Sequence, residues 1–362
     1  MLPRHRRRSH VPFAVPLVAL VLIVAAVVGF RLGDRSGAAA SGAFAGGASP
    51  SGAALALEGS AGGARQGAPS PRATPSPSRG RLVIHGTGDV SLDPSYLPVF
   101  GSRGYGWAWS GLDGLFRRDD LTLINLECPA THVSAPVSKQ FVFRCDPAAL
   151  PAAKAAGVEV ANQSNNHAFD QGAQGLLDSL KQIRRAGLVP VGAGANQAQA
   201  LRAVLFELNG WRVAVVGIDE VIDPEYEVAG PDSPGTAAGH DFPLALQAVR
   251  DAARRSDLVV VMIHWGVELD ARPRDYQVQE GHRLIDAGAD VIYGGHSHRL
   301  QPMETYRGHP IFYSLGNFVW PRYSAGGSTT AVAEVTVSTK GRIRGRLLPA
   351  SIASDGHPVL TG

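Results

Sequence analysis

The chain has 362 residues, of which 44% are hydrophobic and 18% are charged, so it is long enough to bury a core and to hold one large domain or two. Its formal net charge is only +3, and part of that excess lies in the first eight residues, at Arg4, Arg6, Arg7 and Arg8. This distribution excludes the clustered basic face that is typical of nucleic-acid-binding domains.

The first predicted element is an apolar stretch at residues 11–30, VPFAVPLVALVLIVAAVVGF, which carries no charge. As a helix it would be roughly 30 Å long, which matches the thickness of a hydrocarbon core. With the basic residues before it, the stretch predicts a cytoplasmic tail at 1–10, a single-pass cell-membrane anchor at 11–31 and an extracytoplasmic C-terminal domain. The alternative is a cleaved signal peptide, for which residues 43–45 (AFA) offer a weak cleavage site.

Residues 32–80 are rich in Gly, Ala, Ser and Pro and show almost no periodic apolar pattern. This composition predicts a disordered linker, because it offers too few large apolar side chains to pack. We therefore place one folded domain at residues 81–350 and a C-terminal tail at residues 351–362.

Within the folded domain, buried or alternating apolar runs predict strands, and apolar spacings of three and four residues predict helices. The dipeptide Asn209-Gly210 predicts a tight hairpin. Strands alternating with helices predict an α/β sandwich, and the β-rich C-terminal end predicts a second sheet or an antiparallel edge. The predicted strands are Leu82–Gly88, Leu121–Leu126, Val158–Ala161, Ala203–Leu208, Trp211–Ile218, Leu258–Ile263, Asp290–Gly294, Pro310–Ser314, Thr330–Val337 and Arg342–Leu347. The predicted helices are Gly172–Gly187, Phe242–Arg255 and Asp275–Ala287.

Two cysteines, Cys128 and Cys145, lie in the segment after the second strand. In an oxidising compartment they would form a disulfide that closes a short loop. The alternative is a pair of unbonded core residues. A metal role for Cys128 is disfavoured, because no C-x-x-C pattern accompanies it.

Polar side chains gather where five predicted strands end. Each group alone has an ordinary explanation, such as a turn residue for Asp89 or a hydrogen-bonded core histidine for His264. Because sites in open α/β sheets form at the carboxyl ends of strands, the five ends together predict a binding site, and mixed oxygen and imidazole ligands suit Zn, Mn or Fe. The five groups are Gly88-Asp89, Asn125-Leu126-Glu127, Asn165-Asn166-His167 with Asp170, His264-Trp265-Gly266 with Glu268, and Gly295-His296-Ser297-His298.

This ordered set, together with Ser314-Leu315-Gly316-Asn317-Phe318, resembles the CapA capsule-synthesis family over about residues 82–350. That family is associated with poly-γ-glutamate capsule production and belongs to the calcineurin-like metallophosphatase superfamily. The resemblance implies a four-layer α/β/β/α sandwich of metallophosphatase type. It also implies a site for two divalent metal ions, of Mn, Zn or Fe.

The resemblance further implies a role for individual residues. His167 would be the general acid or an oxyanion donor, Asp170 would orient it, and Asn317 would lie beside the pocket. Six residues would be metal ligands: Asn166, His264 and His296 at one position, Asp89 and His298 at the other, and Glu127 bridging both.

One position departs from the superfamily pattern Asp-x-His, because the chain has Asp89-Val90-Ser91. The metal position at Asp89 therefore lacks one imidazole, which leaves phosphoesterase chemistry open. His85 lies on the same strand face as Asp89 by alternation. It is either a replacement ligand or a buried histidine without a role in the site.

These expectations combine into a membrane-anchored protein of capsule or poly-γ-glutamate biosynthesis that performs metal-assisted hydrolysis or acyl transfer on a phosphoryl or amide carbonyl centre. The alternative is a non-catalytic, metal-containing factor for polymer binding or export assembly. Expected partners are an acidic polymer or its precursor, the membrane and other capsule-synthesis membrane proteins, but not nucleic acid. The candidate polymer contacts, each of which is equally explained as a solvated surface residue, are Arg272, Arg274, Arg299 and Arg322.

Overall fold

The computed structural model describes residues 78–221 and 227–362 of the chain. Its strands are β1 (Leu82–Val90), β2 (Leu121–Leu126), β3 (Val160–Asn162), β4 (Val189–Val191), β5 (Ala193–Gly194), β6 (Val204–Leu208), β7 (Trp211–Asp219), β8 (Gly235–Thr236), β9 (Leu258–His264), β10 (Val291–Gly295), β11 (Met303–Tyr306), β12 (His309–Phe312), β13 (Asn317–Val319), β14 (Thr329–Val337), β15 (Ile343–Ile352) and β16 (Pro358–Leu360). Its α-helices are α1 (Val99–Arg103), α2 (Leu150–Ala156), α3 (Gly172–Arg185), α4 (Gln197–Ala200), α5 (Phe242–Ala253), α6 (Asp275–Asp286) and α7 (Ala325–Ser328).

The first sheet has the strand order β16–β15–β14–β1–β2–β3–β4, and β13 pairs with the end of β1. Strands β1 to β4 run parallel, whereas β14 is antiparallel to β1. The parallel arrangement agrees with the sequence of β2, LTLINL, which is buried at every position, because a parallel sheet is covered on both faces. The carboxyl ends of β1, β2 and β3 consequently lie side by side.

The second sheet has the strand order β11–β12–β10–β9–β7–β6. Strands β7, β9, β10 and β12 are parallel, so their carboxyl ends also share one edge. Strands β6 and β7 form an antiparallel hairpin that turns at Asn209 and Gly210, whose φ angles are 48° and 80°. A two-residue turn with positive φ at both positions matches the twist of the flanking strands, and the hairpin prediction is confirmed.

The two sheets pack face to face through an apolar layer, and helices cover their outer faces. On β7, Val215 faces the other sheet, whereas its neighbour Val216 packs in the core beneath α5. On β2, Leu123 lies between the sheets and Ile124 lies in the core that α2 covers. This alternation produces the layer order helix, sheet, sheet, helix, and the predicted α/β class is confirmed.

No helix in residues 78–221 and 227–362 is long and apolar enough to cross a membrane. The longest helix there is α3 with 14 residues, or about 21 Å at 1.5 Å per residue, against a hydrocarbon core of roughly 30 Å. This finding contradicts the predicted location as a single-pass membrane protein, and we withdraw that prediction. The expected tail at 1–10, the expected anchor at 11–31 and nearly all of the expected linker at 32–80 lie outside the described residues.

Candidate metal centre

The strand ends of both sheets bring the predicted residues into one buried cluster. Within the first sheet Asp89 pairs with Asn125, and within the second sheet His264 pairs with Gly295. The next residues along the chain then turn their side chains into the space between the two rows of strand ends. The predicted residues that meet there are Asp89, Glu127, Asn166, His167, Asp170, His264, His296 and His298.

Glu127 lies at the centre of this cluster and is completely buried. Its Oε1 atom is 3.6 Å from Nε2 of His264, 3.9 Å from Nε2 of His298 and 4.0 Å from Nε2 of His167. Neither carboxylate oxygen has a hydrogen-bond partner among the described residues. Burial raises the pKa of Glu127 well above its ordinary value, and the charge of Asp89 adds to the rise. Burying an ionised carboxylate without a partner costs free energy of folding, unless a cation from outside the chain compensates its charge.

Asp89, Glu127 and His298 form the tightest group of potential ligands, with one ligand atom of each within 4.8 Å of the others. Nδ1 of His298 lies 3.1 Å from Oδ2 of Asp89 and 2.8 Å from Oδ1 of Asn317. The amide nitrogen of Asn317 donates to the carbonyl of Gly327 at 3.2 Å, which directs its oxygen at His298. Burial opposes protonation of His298, but the hydrogen bond and charge of Asp89, the charge of Glu268 and the hydrogen bond of Asn317 together outweigh it and raise the pKa of His298. Nε2 of His298 therefore faces Glu127.

Asn166, His264 and His296 form a second group beside Glu127. Oδ1 of Asn166 is 2.9 Å from Nε2 of His264, and the His264 and His296 rings meet edge to face with their centroids 4.9 Å apart. Burial lowers the pKa of His264 well below its ordinary value and that of His296 to about 4, and neighbouring imidazoles add to both shifts. Nδ1 of His296 is buried without a hydrogen-bond partner in the part of the chain that the structure describes. Both rings are thus neutral at pH 7, as metal binding requires.

The turn after β10 holds its two histidines in unusual backbone conformations. The φ angles of His296 and His298 are 91° and 53°, in the left-handed region that residues other than glycine rarely adopt. Gly295 before them has no room for a side chain, because a Cβ atom there would lie 2.6 Å from Oδ1 of Asp89. Such strain costs on the order of 1–3 kcal/mol per residue and is typical of functional sites.

His167 is oriented by contacts on the side away from Glu127. Its Nδ1 atom is 2.7 Å from Oδ2 of Asp170, which also accepts a hydrogen bond from the backbone N–H of Phe143 at 2.7 Å. The Phe143 ring packs on the imidazole with 4.2 Å between centroids. These contacts leave Nε2 of His167 directed at the carboxylate cluster.

Lys139 belongs to the site and was not predicted. Its ammonium group donates to the carbonyl of Asn166 at 2.5 Å, lies 3.5 Å from Oδ1 of Asp170 and forms an ion pair with Glu227. Lys139 lies in an irregular segment without apolar periodicity, so the sequence contained no signal that would have placed it here.

Two further polar residues take part: Asn125, which lay in a predicted group but had no assigned role, and Asp219, which was missed although the sequence held a signal for it. The amide nitrogen of Asn125 contacts Oδ1 of Asp89 at 2.8 Å and Nδ1 of His264 at 3.1 Å, which links the two sheets. Asp219 ends β7, is fully buried and pairs with His264 in the sheet. Asp219 follows a predicted strand directly, as the recognised candidates do, and burial raises its pKa well above the ordinary value.

His85 is not part of the cluster. Its Nδ1 atom lies 2.6 Å from Oδ2 of Asp119, and its Nε2 atom lies 3.6 Å from Oε2 of Glu334. Of the two interpretations of His85, the structure supports the buried histidine. Ser91 is buried and lines a cavity beside the cluster.

Cys128 and Cys145 form a disulfide, as one of the two sequence alternatives anticipated. Cys128 follows Glu127 directly, and the loop that the bond closes carries both Lys139 and Phe143. The covalent bond therefore closes a loop whose side chains and backbone contact Asp170 and His167.

A cavity of about 500 Å³ opens next to His167 and His298. Arg299 is the only arginine or lysine among the described residues that line it, and Arg272, Arg274 and Arg322 do not take part. The aromatic side chains of its lining are Tyr96, Phe141, Phe143, Trp320 and Tyr323.

Comparison with known proteins adds independent findings. Residues 83–322 match the model of the family described as bacterial capsule synthesis protein PGA_cap. The PGA biosynthesis protein CapA of Bacillus subtilis (strain 168) is 31% identical over 268 residues, which cover 73% of this chain and 70% of the relative. The capsule biosynthesis protein CapA of Bacillus anthracis is 29% identical over 285 residues, covering 77% and 69%. Among solved structures, the NAD nucleotidase of Haemophilus influenzae aligns with a TM-score of 0.46 at 14% identity, over 78% of this chain and 54% of that one.

Proposed function

The chain belongs to the bacterial capsule synthesis protein family PGA_cap, and from that membership we propose that it is a divalent-metal-dependent hydrolase or transferase of capsule or poly-γ-glutamate biosynthesis. The observation that carries the proposal is the carboxylate of Glu127. It is fully buried, surrounded by three imidazoles and without a hydrogen-bond partner among the described residues.

The residues of the cluster fit divalent metal by the chemistry of their atoms. Buried carboxylates are normally paired or coordinate a metal, and the unpartnered Nδ1 of the neutral His296 is a suitable nitrogen ligand. Nitrogen and oxygen ligands together suit Zn, Mn or Fe better than Mg or Ca. The proposed ligands are Asp89, His298 and Glu127 at one position and Asn166, His264, His296 and Glu127 at the other.

Metal ions bound there would act as Lewis acids on a phosphoryl or carbonyl oxygen. The chain itself would supply the proton chemistry through His167. Asp170 fixes Nδ1 of His167 at 2.7 Å, so that Nε2 can hold a proton for a leaving group on the side of the cavity. The layer order of the two sheets and their helices agrees with a metallophosphatase-type sandwich, which we propose as the finer fold assignment.

A test of this function begins with metal analysis of the purified full chain. We expect bound divalent metal in the wild type and its loss in Glu127→Gln, whereas Glu207→Gln, at an exposed position of β6, should retain it. Turnover should then be screened on phosphoesters and γ-glutamyl peptides, with and without a chelator. Turnover that the chelator and Glu127→Gln both abolish supports the enzyme. Metal and poly-γ-glutamate binding without turnover would instead assign a non-catalytic assembly factor, and absence of bound metal would remove the basis of both.

A further inference from the structure

The cavity beside the cluster has an aromatic wall that is built onto the two histidines. Phe143 packs on His167 with 4.2 Å between ring centroids, and Trp320 packs on His298 at 5.0 Å. Phe143 and Trp320 also contact each other edge to face at 5.6 Å, and Tyr96 meets Phe143 in the same way at 4.8 Å. The wall is therefore a fixed surface that continues directly from the polar residues of the site.

The mouth of the cavity concentrates exposed apolar surface. Phe141, Leu269 and Tyr323 line the cavity and are 52%, 61% and 74% exposed. They are three of the seven large hydrophobic side chains that are exposed in the described part of the chain, so the exposure is not spread evenly. Clustered exposed apolar residues mark a binding surface more often than single ones do.

The charges of the lining do not match a polyanion. Apart from the histidines, the charged side chains among the described lining residues are Glu268 and Arg299. The guanidinium of Arg299 donates to the carbonyl of His298 at 2.8 Å, so part of its hydrogen-bonding capacity is already used within the chain. An acidic polymer in this cavity would meet aromatic rings, one carboxylate and one arginine where it needs several cations.

We propose that this cavity binds an uncharged ring of the substrate, packed by its apolar face against Phe143, Trp320 and Tyr323, while the reacting phosphoryl or carbonyl group lies at the carboxylate and histidine cluster. A volume of about 500 Å³ accommodates a single ring with its substituents. The inference rests on the proposed metal-dependent function and specifies its substrate class. The substrate class is an ester or amide with a ring-bearing group beside the bond that reacts.

Two phosphonates test the proposal on the full chain loaded with Mn²⁺, at a pH above the second pKa of both, where each is a dianion. Phenylphosphonate carries a ring and methylphosphonate does not, so the ratio of their dissociation constants, measured by calorimetry, reports the contribution of the ring. We expect phenylphosphonate to bind about tenfold more tightly, because burying one ring against apolar walls yields a gain of roughly that order after ordering costs. Phe141→Ala and Tyr323→Ala should each lower the ratio without weakening methylphosphonate, because each removes one apolar surface around the ring while the wall of Phe143 and Trp320 remains. Leu205→Ala, an exposed apolar residue of β6 outside the cavity, should leave the ratio unchanged.

The mouth positions suit this test because truncating exposed side chains rarely affects folding. Equal affinity for the two phosphonates, or a ring preference that neither mouth variant reduces, overturns the proposal. So does tighter binding of tri-γ-glutamate that depends on Arg299, since the cavity would then recognise acidic groups. Retained metal with neither phosphonate bound also overturns the ring site, whereas a chain that takes up no metal overturns the proposed function itself.

Discussion

His167, like His298, has a carboxylate at one nitrogen and an aromatic ring over one face, but it is not part of the tightest group of potential ligands. Its Nδ1 is 2.7 Å from Asp170 and the Phe143 ring centroid is 4.2 Å away, which leaves Nε2 at the edge of the cluster, next to the cavity. We therefore predict that His167→Ala lowers turnover about 10²- to 10⁴-fold, the usual contribution of a general acid. Its metal content, measured by elemental analysis, should stay near that of the wild type. Loss of metal in parallel with activity would reassign His167 as a ligand.

Glu127 makes metal binding depend on pH. Burial raises its pKa in the folded chain, so without metal the folded state favours the protonated carboxyl group. The stability associated with this group is fully present below its unfolded pKa of about 4.3 and is lost as the pH rises through the folded value. Metal requires the carboxylate, so binding must displace a proton, and affinity must rise with pH.

This linkage has a direct measurement. Calorimetric titration of the metal-stripped chain with Mn²⁺ at pH 7, repeated in two buffers of different ionisation enthalpy, should report net proton release. Glu127→Gln, which should lose most of the metal binding, should show little heat and little proton release. Heats that are independent of the buffer in the wild type would contradict the prediction.

At the scale of elements, the disulfide closes the loop that carries Phe143, whose ring packs on His167. Cys128 and Cys145 have a sequence separation of 17, and the loop between them has no regular structure over most of its length. Removing the bond by Cys128→Ser with Cys145→Ser should lower the free energy of unfolding by roughly 3 kcal/mol, the loop-entropy value for this length. Denaturant unfolding measures the change. Reductant should destabilise the wild type by a similar amount and leave the double variant unaffected. If both thiols of the unreduced, unfolded wild type react with an alkylating agent, the bond is absent.

The elements also show which parts of the fold a sequence reveals. The predicted strand Leu121–Leu126 agrees with β2, because a strand buried at every position has a largely apolar sequence. The predicted strand beginning at Trp211 agrees with the start of β7, because the Asn-Gly turn before it is a local sequence signal. The three-residue strands β4 and β13 were missed, since such short strands have no period and depend on neighbours distant in the chain. Strand β16 lies within the residues predicted as a tail and pairs with β15.

The site also contains residues with a local sequence signal and residues that only tertiary packing brings together. Residues that end strands were predictable, because parallel strands bring their carboxyl ends to one edge. Lys139 and the aromatic wall were not, because irregular segments carry them and only tertiary packing brings them to His167 and His298. The predicted arginine contacts with a polymer were drawn from sequence proximity, and only Arg299 lines the cavity.

At the scale of the whole molecule, the cluster lies where the two sheets meet. The first sheet supplies Asp89 and the segment after β2 that contains Glu127, and the second supplies His264 and the turn after β10 with His296 and His298. The apolar layer joins the sheets along their length. At the site end, neutral imidazoles from one sheet face unpartnered carboxylate oxygens from the other. Metal bound between them would link the two sheets across this polar end.

That arrangement predicts that metal stabilises the entire domain and not only a local loop. A ligand that binds only the folded state at a hundred times its dissociation constant adds about 2.7 kcal/mol, which corresponds to roughly 5 °C in Tm for a domain of this size. Thermal unfolding of the full chain, stripped by chelator and then supplied with Mn²⁺, should show this shift. Glu127→Gln should lose most of it, because Glu127 stands between both groups of ligands, whereas His167→Ala should keep it. A shift that persists in Glu127→Gln would place the metal elsewhere. Thermal unfolding requires no substrate, so it tests the metal centre separately from catalysis. If Mn²⁺ raises Tm but the activity screen finds no turnover, the metal centre stands and the assembly factor is favoured over the enzyme.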